Sequence, residues 1–375
     1  MSQGGPRVRA HPGRAVVTAA TVTLAVGLAA CGTVGEPSDS GGITATKGGS
    51  MIGLLLPSSQ SSRYETWDRP LIEQRIQELC DDCTVEYANA QLDVAAQQQQ
   101  VDVMITKGVE VLILDPVDAR SLRSSVEKAD RAGIPVVAYD RLAEGPISGY
   151  VSYNNERVGV LQGEALLEAL GDKADGAQIV MLNGSPTDPN AATFKRGALS
   201  VLQGKVKIGK AYDAPGWRSE EAHASMSSAI AALGADNIDG VYAAGDNLAA
   251  GAISALKAAK IEPLPPVTGQ NAELAAVQRI VSGEQYMSVY KPYQPEADAA
   301  AAMAVALRRG EELDEIAETR VDSPTTKNVP AVVLDPVPVT VDNIKETVVK
   351  DGVYTIDQIC TPKFRSACEK TGLIG

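Results

Sequence analysis

A chain of 375 residues with 44% hydrophobic and 22% charged side chains carries enough apolar material for two cores of ordinary size. Lys and Arg total 34 against 47 Asp and Glu, a formal charge of -13, and a surface of that sign repels phosphate backbones, which argues against nucleic acid as a partner. Only two histidines occur, His11 and His223, which excludes chemistry built on several imidazoles, His-rich zinc sites included.

Arg7, Arg9 and Arg14 lead, with no acid among them, into an apolar run at 15–30, AVVTAATVTLAVGLAA. This run falls short of the roughly 20 residues a membrane span needs and suits the hydrophobic stretch of a secretory signal. It closes on Leu28-Ala29-Ala30-Cys31, which resembles the lipobox of bacterial lipoproteins. The resemblance implies cleavage before Cys31, lipidation of its sulfur and anchoring at the outer face of the cytoplasmic membrane. Residues 31–50, rich in Gly, Ser and Thr, read as a flexible tether from Cys31, so the folded part is expected to start near Met51, outside the cytoplasm.

Export makes the remaining cysteines interpretable. Cys80, Cys83, Cys360 and Cys368 form an even set in an oxidising compartment, and four cysteines allow three connectivities. Local pairing, Cys80 with Cys83 and Cys360 with Cys368, needs no long-range assumption and is the expectation. A redox or zinc role fits less well, because the two acids inside Cys80-Asp-Asp-Cys83 raise rather than lower a thiol pKa.

From Met51 onward short apolar runs alternate with helical stretches. Strands are expected at 51–56, 84–88, 110–114, 134–138 and 148–152, then at 177–182, 206–212, 238–243, 265–269 and 286–290. Helices are expected near 67–80, 92–107, 117–132, 154–170, 190–203, 218–233, 247–260, 272–283 and 294–310. This alternation specifies α/β architecture with parallel sheets, and so many strands divide more readily between two lobes than in one open sheet. An internal echo supports the division: 111–140 and 240–271 each run strand, Ala/Leu-rich helix, turn, strand, and end at Asp140 and Asn271. Ligands of open α/β sheets bind beyond the carboxyl ends of the strands. Two such sheets face to face would bring both residues into one cleft.

Polar side chains gather at those strand ends: Ser58 to Trp67, Tyr139-Asp140-Arg141, Asn183 to Asn190, Gly245-Asp246-Asn247, Gln270-Asn271 and Lys291-Pro292-Tyr293. Carboxylates and amides accept from hydroxyls while Arg and Lys donate to them, a set suited to neighbouring hydroxyls on a sugar ring. Both tryptophans, Trp67 and Trp217, fall near such loops, and an indole face packs well on the C–H face of a sugar.

The stretches AYDRL (138–142), NNERVG (154–159), NGSPTDPNA (183–191), TGQNAELA (268–275), VYKP (289–292) and NIKETVVKDG (343–352), in this order, make the chain similar to the periplasmic sugar-binding proteins of ABC importers, and to their xylose-binding members in particular. The resemblance spans roughly 51–353. It implies two Rossmann-like lobes with parallel sheets, joined by three hinge crossings and closing on a sugar. The lobes expected are 51–152 with 292–325 and 153–291 with 326–353; beyond the resemblance lies a C-terminal extension, 354–375, where the expected Cys360–Cys368 pairing falls. The resemblance implies that Arg63, Asp140, Arg141, Asp188, Asn190 and Lys291 hydrogen-bond the sugar hydroxyls and that Trp217 packs on the sugar; Tyr64, Asp246 and Asn271, at the same strand ends, complete the expected sugar-binding set. Two positions depart: Gly245 stands where the family has Asn, and Asn271 where it has Asp. The sugar is therefore expected to be xylose or a related aldose.

A monomeric transport component that hands a monosaccharide to an ABC permease follows from this, with no cofactor, metal or catalytic group. A receptor passing a sugar signal to a chemoreceptor or histidine kinase would share fold and site. A sugar-active enzyme is the remote alternative, since no G-x-x-x-x-G-K-[ST], G-x-G-x-x-G or G-x-S-x-G motif occurs.

Overall fold

The computed structural model describes residues 50–375; the signal, the tether and Cys31 lie outside the described residues. The first sheet has seven strands. β1 (Met51–Leu56), β2 (Thr84–Asn89), β3 (Val111–Leu114), β4 (Val136–Tyr139) and β5 (Gly149–Tyr153) are parallel, in the order β5-β4-β3-β1-β2. Successive side chains point to opposite faces of a strand, and both faces are covered. Ile52, Leu54 and Leu56 join Val111 and Ile113 in one core, while Leu55, Leu112 and Leu114 join the other. α1 (Arg69–Leu79) and the Ala-rich α9 (Tyr293–Arg308) cover the first face through Ile72, Ile76, Ala297, Ala300, Ala301 and Ala304. α2 (Val94–Lys107) and α3 (Arg123–Arg131) cover the second through Val101, Met104 and Val126.

The second sheet is built around β7 (Lys207–Asp213), β6 (Gln178–Asn183) and β8 (Gly240–Ala243), again parallel. It continues through single bridges, Val241 to Val267 and Gln270 to Val289, toward β9 (Ser288–Tyr290), which pairs antiparallel with β12 (Val337–Val339). α4 (Asn155–Leu170), α5 (Pro189–Leu202), α6 (Ser219–Leu233), α7 (Asp246–Ala258) and α8 (Leu274–Val281) flank it. α4 and α5 touch at their backbones: a Cβ on Gly159 would overlap the Phe194 carbonyl, and one on Gly197 the Glu156 carbonyl.

Two expectations are corrected. No continuous strand forms at 265–269, because Pro263, Pro265 and Pro266 remove ladder donors; the segment is held by isolated bonds, Val241 N to Pro266 O and Thr268 N to Val241 O on one side and Tyr286 N to Val267 O and Val289 N to Gly269 O on the other. The return to the second lobe also falls later than 326. β11 (Val329–Leu334) pairs parallel with β5, and β10 (Thr319–Val321) pairs antiparallel with β11, so the chain stays in the first sheet to Leu334.

The C-terminal stretch forms two short helices, α10 (Ile356–Ile359) and α11 (Arg365–Lys370). Ile359, Cys368 and Leu373 are buried with Val277, Ile280 and Val348, which ties this stretch to the second lobe. The sulfur atoms of Cys80 and Cys83, and those of Cys360 and Cys368, stand at bonding distance. Among the described residues no helix is long and apolar enough to cross a membrane.

Candidate functional site

The carboxyl ends of the two sheets face each other across a cavity with about 40 Å³ of space reachable by the centre of a water molecule. One buried water needs roughly 10–15 Å³ on this measure, so the space holds about three. Its wall comes from both sheets. The β1 loop supplies Arg63 and Tyr64, the end of β4 gives Asp140 and Arg141, the β6 loop gives Asp188 and Asn190, and Trp217, Asn271 and Lys291 complete it.

Asp140 follows β4 with φ of +54°, the left-handed region that Asp enters more easily than most residues. Its carbonyl is held by Ser152 Oγ (2.7 Å), Asn190 Nδ2 (3.1 Å) and the Tyr150 hydroxyl (3.2 Å), all donating. So fixed, its carboxylate receives a hydrogen bond from Lys291 Nζ at 3.0 Å and lies 3.6 Å from Arg63 Nη1. Burial opposes ionisation of Asp140, but Lys291, Arg63 and Arg141 together prevail and hold its pKa below the usual carboxylate range.

Arg63 is buried against two further carboxylates. Nε and Nη2 donate to Asp68 at 2.7 and 2.9 Å, and Nη2 also donates to Glu296 at 2.6 Å. Nη1 has no hydrogen-bond acceptor among the described residues, while the residue itself lines the cavity. On the other side Arg141 Nε is 2.9 Å from Asp188 Oδ2, an ion pair that is not aligned as a hydrogen bond, and 3.4 Å from Asp115 Oδ1. Arg141 Nη1 donates to the Pro116 carbonyl. Asp188 does two jobs at once: Oδ1 accepts from Asn190 N at the start of α5, and Oδ2 accepts from Trp217 Nε1 at 3.0 Å.

Around the cavity three buried cations, Arg63, Arg141 and Lys291, meet five buried carboxyls, Asp68, Asp115, Asp140, Asp188 and Glu296. The excess of acid is relieved by raised pKa values. Burial pushes Asp115 well up and Asp188 up, and it pushes Glu296 up to about 7 although Arg63 donates to it, since Arg63 is shared with Asp68 and Asp140. An acid whose pKa rises on folding binds more protons in the native state, so stability falls as pH climbs from its unfolded value to its folded one. We expect unfolding to require more denaturant at pH 5 than at pH 7.5, and Glu296→Gln to flatten that slope in urea titrations. An unchanged slope would remove Glu296 from the titrating set.

Nine of the ten expected residues line the cavity, and one does not. Asp246 is turned away: Oδ1 accepts from Gln285 Nε2 and Ser288 Oγ, both at 2.8 Å, and Oδ2 accepts from Glu273 N at 2.9 Å. Its neighbour Asn247 faces the cavity in its place, joined by Ser58, Gln60, Ser61, Gln270 and the apolar Leu92 and Phe194. Trp67 lies outside as well, stacked on Tyr293 with ring centroids 5.9 Å apart. The polar additions sit in the strand-end loops and carried a sequence signal; Leu92 and Phe194 carried none. The two lobes also touch directly through the strand-end loops and the start of α5, by Arg141–Asp188, Asn190–Asp140 and Ser61 Oγ donating to Glu273 Oε1 at 2.7 Å.

Two α/β lobes that meet over one polar, aromatic-edged cavity define a solute-binding protein that encloses its ligand between the strand ends. Residues 52–312 match the family model for the periplasmic binding protein domain. The chain belongs to this family, in the group of sugar-binding proteins of ABC transporters, whose members bind solutes rather than transform them. It is 37% identical over 314 residues to a D-xylose-binding periplasmic protein of Haemophilus influenzae, covering 82% of this chain and 91% of that one. A D-xylose-binding periplasmic protein of Escherichia coli is 36% identical over 309 residues, with 81% and 90% covered. Among solved structures, an ABC transporter solute-binding protein of Clostridium phytofermentans with bound β-D-glucose superimposes with a TM-score of 0.77 at 29% identity, covering 82% of this chain and 99% of that one.

Proposed function

We propose that this protein is the lipid-anchored, extracytoplasmic solute-binding component of an ABC importer, taking one monosaccharide, xylose or a related aldose, and delivering it to a membrane permease. The observation that carries this reading is the convergence of Asp140, Arg63, Lys291, Asp188, Asn190 and Trp217 from both lobes on one small cavity. Carboxylates and amides accept from ring hydroxyls, the guanidinium and ammonium groups donate to them, and the indole packs on the ring's apolar face. Both lobes reach the ligand only when shut, so binding shifts the population toward the closed form. The moving parts are the lobes 51–153 with 292–334 and 154–291 with 335–353. They hinge where the chain crosses near 153–154, 291–292 and 335–336, and the protein acts as a monomer. The xylose-binding relatives favour a pentose, and the glucose-bound neighbour keeps a hexose in view.

Calorimetric titration of residues 32–375 with D-xylose, D-glucose and a panel of common aldoses tests the reading. One sugar is expected to bind, to change Trp217 fluorescence and to be recovered chemically intact; silence across the panel, or a transformed sugar, would refute it. Two further parts of the reading have their own assay. Cys31→Ser is expected to abolish incorporation of labelled fatty acid and to release the protein from membranes, and an anchored variant would refute lipidation. In the oxidising compartment, the pairs Cys80–Cys83 and Cys360–Cys368 are proposed to be disulfides, to be found as such by mass spectrometry of unreduced peptides.

A further inference from the structure

Asn247 lies in the first turn of α7, two residues after Gly245, and both line the cavity. Its Nδ2 donates to the backbone carbonyl of Trp217, which fixes the direction of the amide. Oδ1 then stands 3.0 Å from the point a Cβ on Gly245 would occupy, beside the edge of the indole, whose Cζ3 is 3.5 Å from the same point. Among the described residues Oδ1 receives no hydrogen bond. The side chain that position 245 lacks is thus replaced by an amide oxygen arriving from position 247. With the amide oriented by this bond, its oxygen faces the cavity, where it can only accept. An acceptor at the edge of an aromatic face suits a ring whose C–H surface lies on the indole and whose hydroxyl points outward.

We propose that Asn247 is a specificity-determining residue of the sugar site: Oδ1 accepts one ring hydroxyl, and Nδ2 holds the Trp217 backbone, which sits at φ of +57°, so that the indole keeps its place. This rests on the reading of the cavity as a monosaccharide site and names the group that selects among sugars there. The neighbouring Asp246 takes no part, being turned toward Gln285 and Ser288.

The experiment titrates the wild type, Asn247→Ala and Asn247→Asp with D-xylose and D-glucose, and then with the monodeoxy analogues of whichever binds more tightly. Loss of one hydrogen bond to a buried polar group costs about 1–3 kcal/mol, or roughly 5- to 150-fold in affinity. The wild type is expected to lose that much on deletion of one particular hydroxyl. Asn247→Ala is expected to bind the parent sugar more weakly by a similar factor and to be indifferent to the same deletion. Asn247→Asp keeps an acceptor but cannot donate to the Trp217 carbonyl, so it should bind more weakly yet still distinguish the deoxy sugar, with altered Trp217 fluorescence. A binding wild type alongside Asn247→Ala within twofold of it, or an alanine variant that penalises each deoxy sugar as the wild type does, would overturn the assignment of Asn247 alone. A wild type that binds no sugar would overturn the site reading and this inference with it.

Discussion

Asp140→Ala is expected to abolish measurable sugar binding and, separately, to lower the midpoint of thermal unfolding. The carboxylate is the acceptor for Lys291 Nζ at 3.0 Å and the nearest negative charge to Arg63 Nη1, at 3.6 Å. Both cations are almost wholly buried. Removing one member of a buried charge pair costs about 3–5 kcal/mol, and here it would leave Lys291 without its carboxylate while Arg63 keeps Asp68 and Glu296. A substitution that would be silent for folding at an exposed strand end is therefore expensive here. Asp140→Asn separates the two effects, since its amide oxygen still accepts from Lys291 while the charge is gone. We expect the asparagine variant to recover part of the thermal loss and little of the affinity. Calorimetry and differential scanning on the two variants read these quantities independently; wild-type affinity in Asp140→Ala would remove this residue from the binding site. The low pKa of Asp140 adds a sign: its contribution to stability is full above the unfolded carboxylate value and is lost only as pH falls through its depressed folded value, so this part of the site stays intact across the neutral range.

The succession of parallel strands was legible because buried strands advertise themselves as apolar runs; Asp140 and Arg141 were legible because they follow such a run directly, and Asp188 and Asn190 because they lie in the polar stretch that leads from such a run into the next helix. Where the reading failed, a local pattern had two physical outcomes. Residues 265–269 carry strand-forming Val267 and Thr268, yet the prolines before them leave too few donors for a ladder. β11 reads VPAVVL, and Pro330 disguised a strand that the sheet nonetheless accepts beside β5. At the start of α7 the sequence Gly-Asp-Asn offered two polar candidates, and consecutive helical residues point about 100° apart, a consequence of 3.6 residues per turn. Only the packing against Gln285 and Ser288 decides that Asp246 turns inward and Asn247 toward the cavity. The counter-ions of the site were hidden for another reason. Asp68 and Glu296 lie on helical segments far apart in sequence, and they meet at Arg63 only because α9 returns to pack beside α1.

Gly184→Ala is expected to disable binding through a residue that offers the ligand no side chain. Gly184 follows β6, and a Cβ there would overlap Cη2 and Cζ2 of the Trp217 ring and stand 2.7 Å from Cζ3. The ring has little room to yield in place. Phe194 meets it edge-on at 6.2 Å between centroids, and Nε1 is tied to Asp188 at 3.0 Å. Because Trp217 is only half-buried, the indole can escape toward solvent at about the 1–3 kcal/mol usual for overpacking, so the fold survives. Its departure would take away the face proposed to carry the sugar ring and free Asp188 Oδ2 to pair with Arg141 alone. The predicted result is a loss of at least about 100-fold in affinity, an amount of order 3 kcal/mol, with a thermal midpoint within a few degrees of wild type and red-shifted Trp217 emission. Trp217→Ala should match it in affinity but not in the optical signal. If Gly184→Ala bound sugar as the wild type does, the indole would not be the floor of the site, and the contact between the β6 loop and the Trp217 loop would have to be assigned to packing of the second lobe alone.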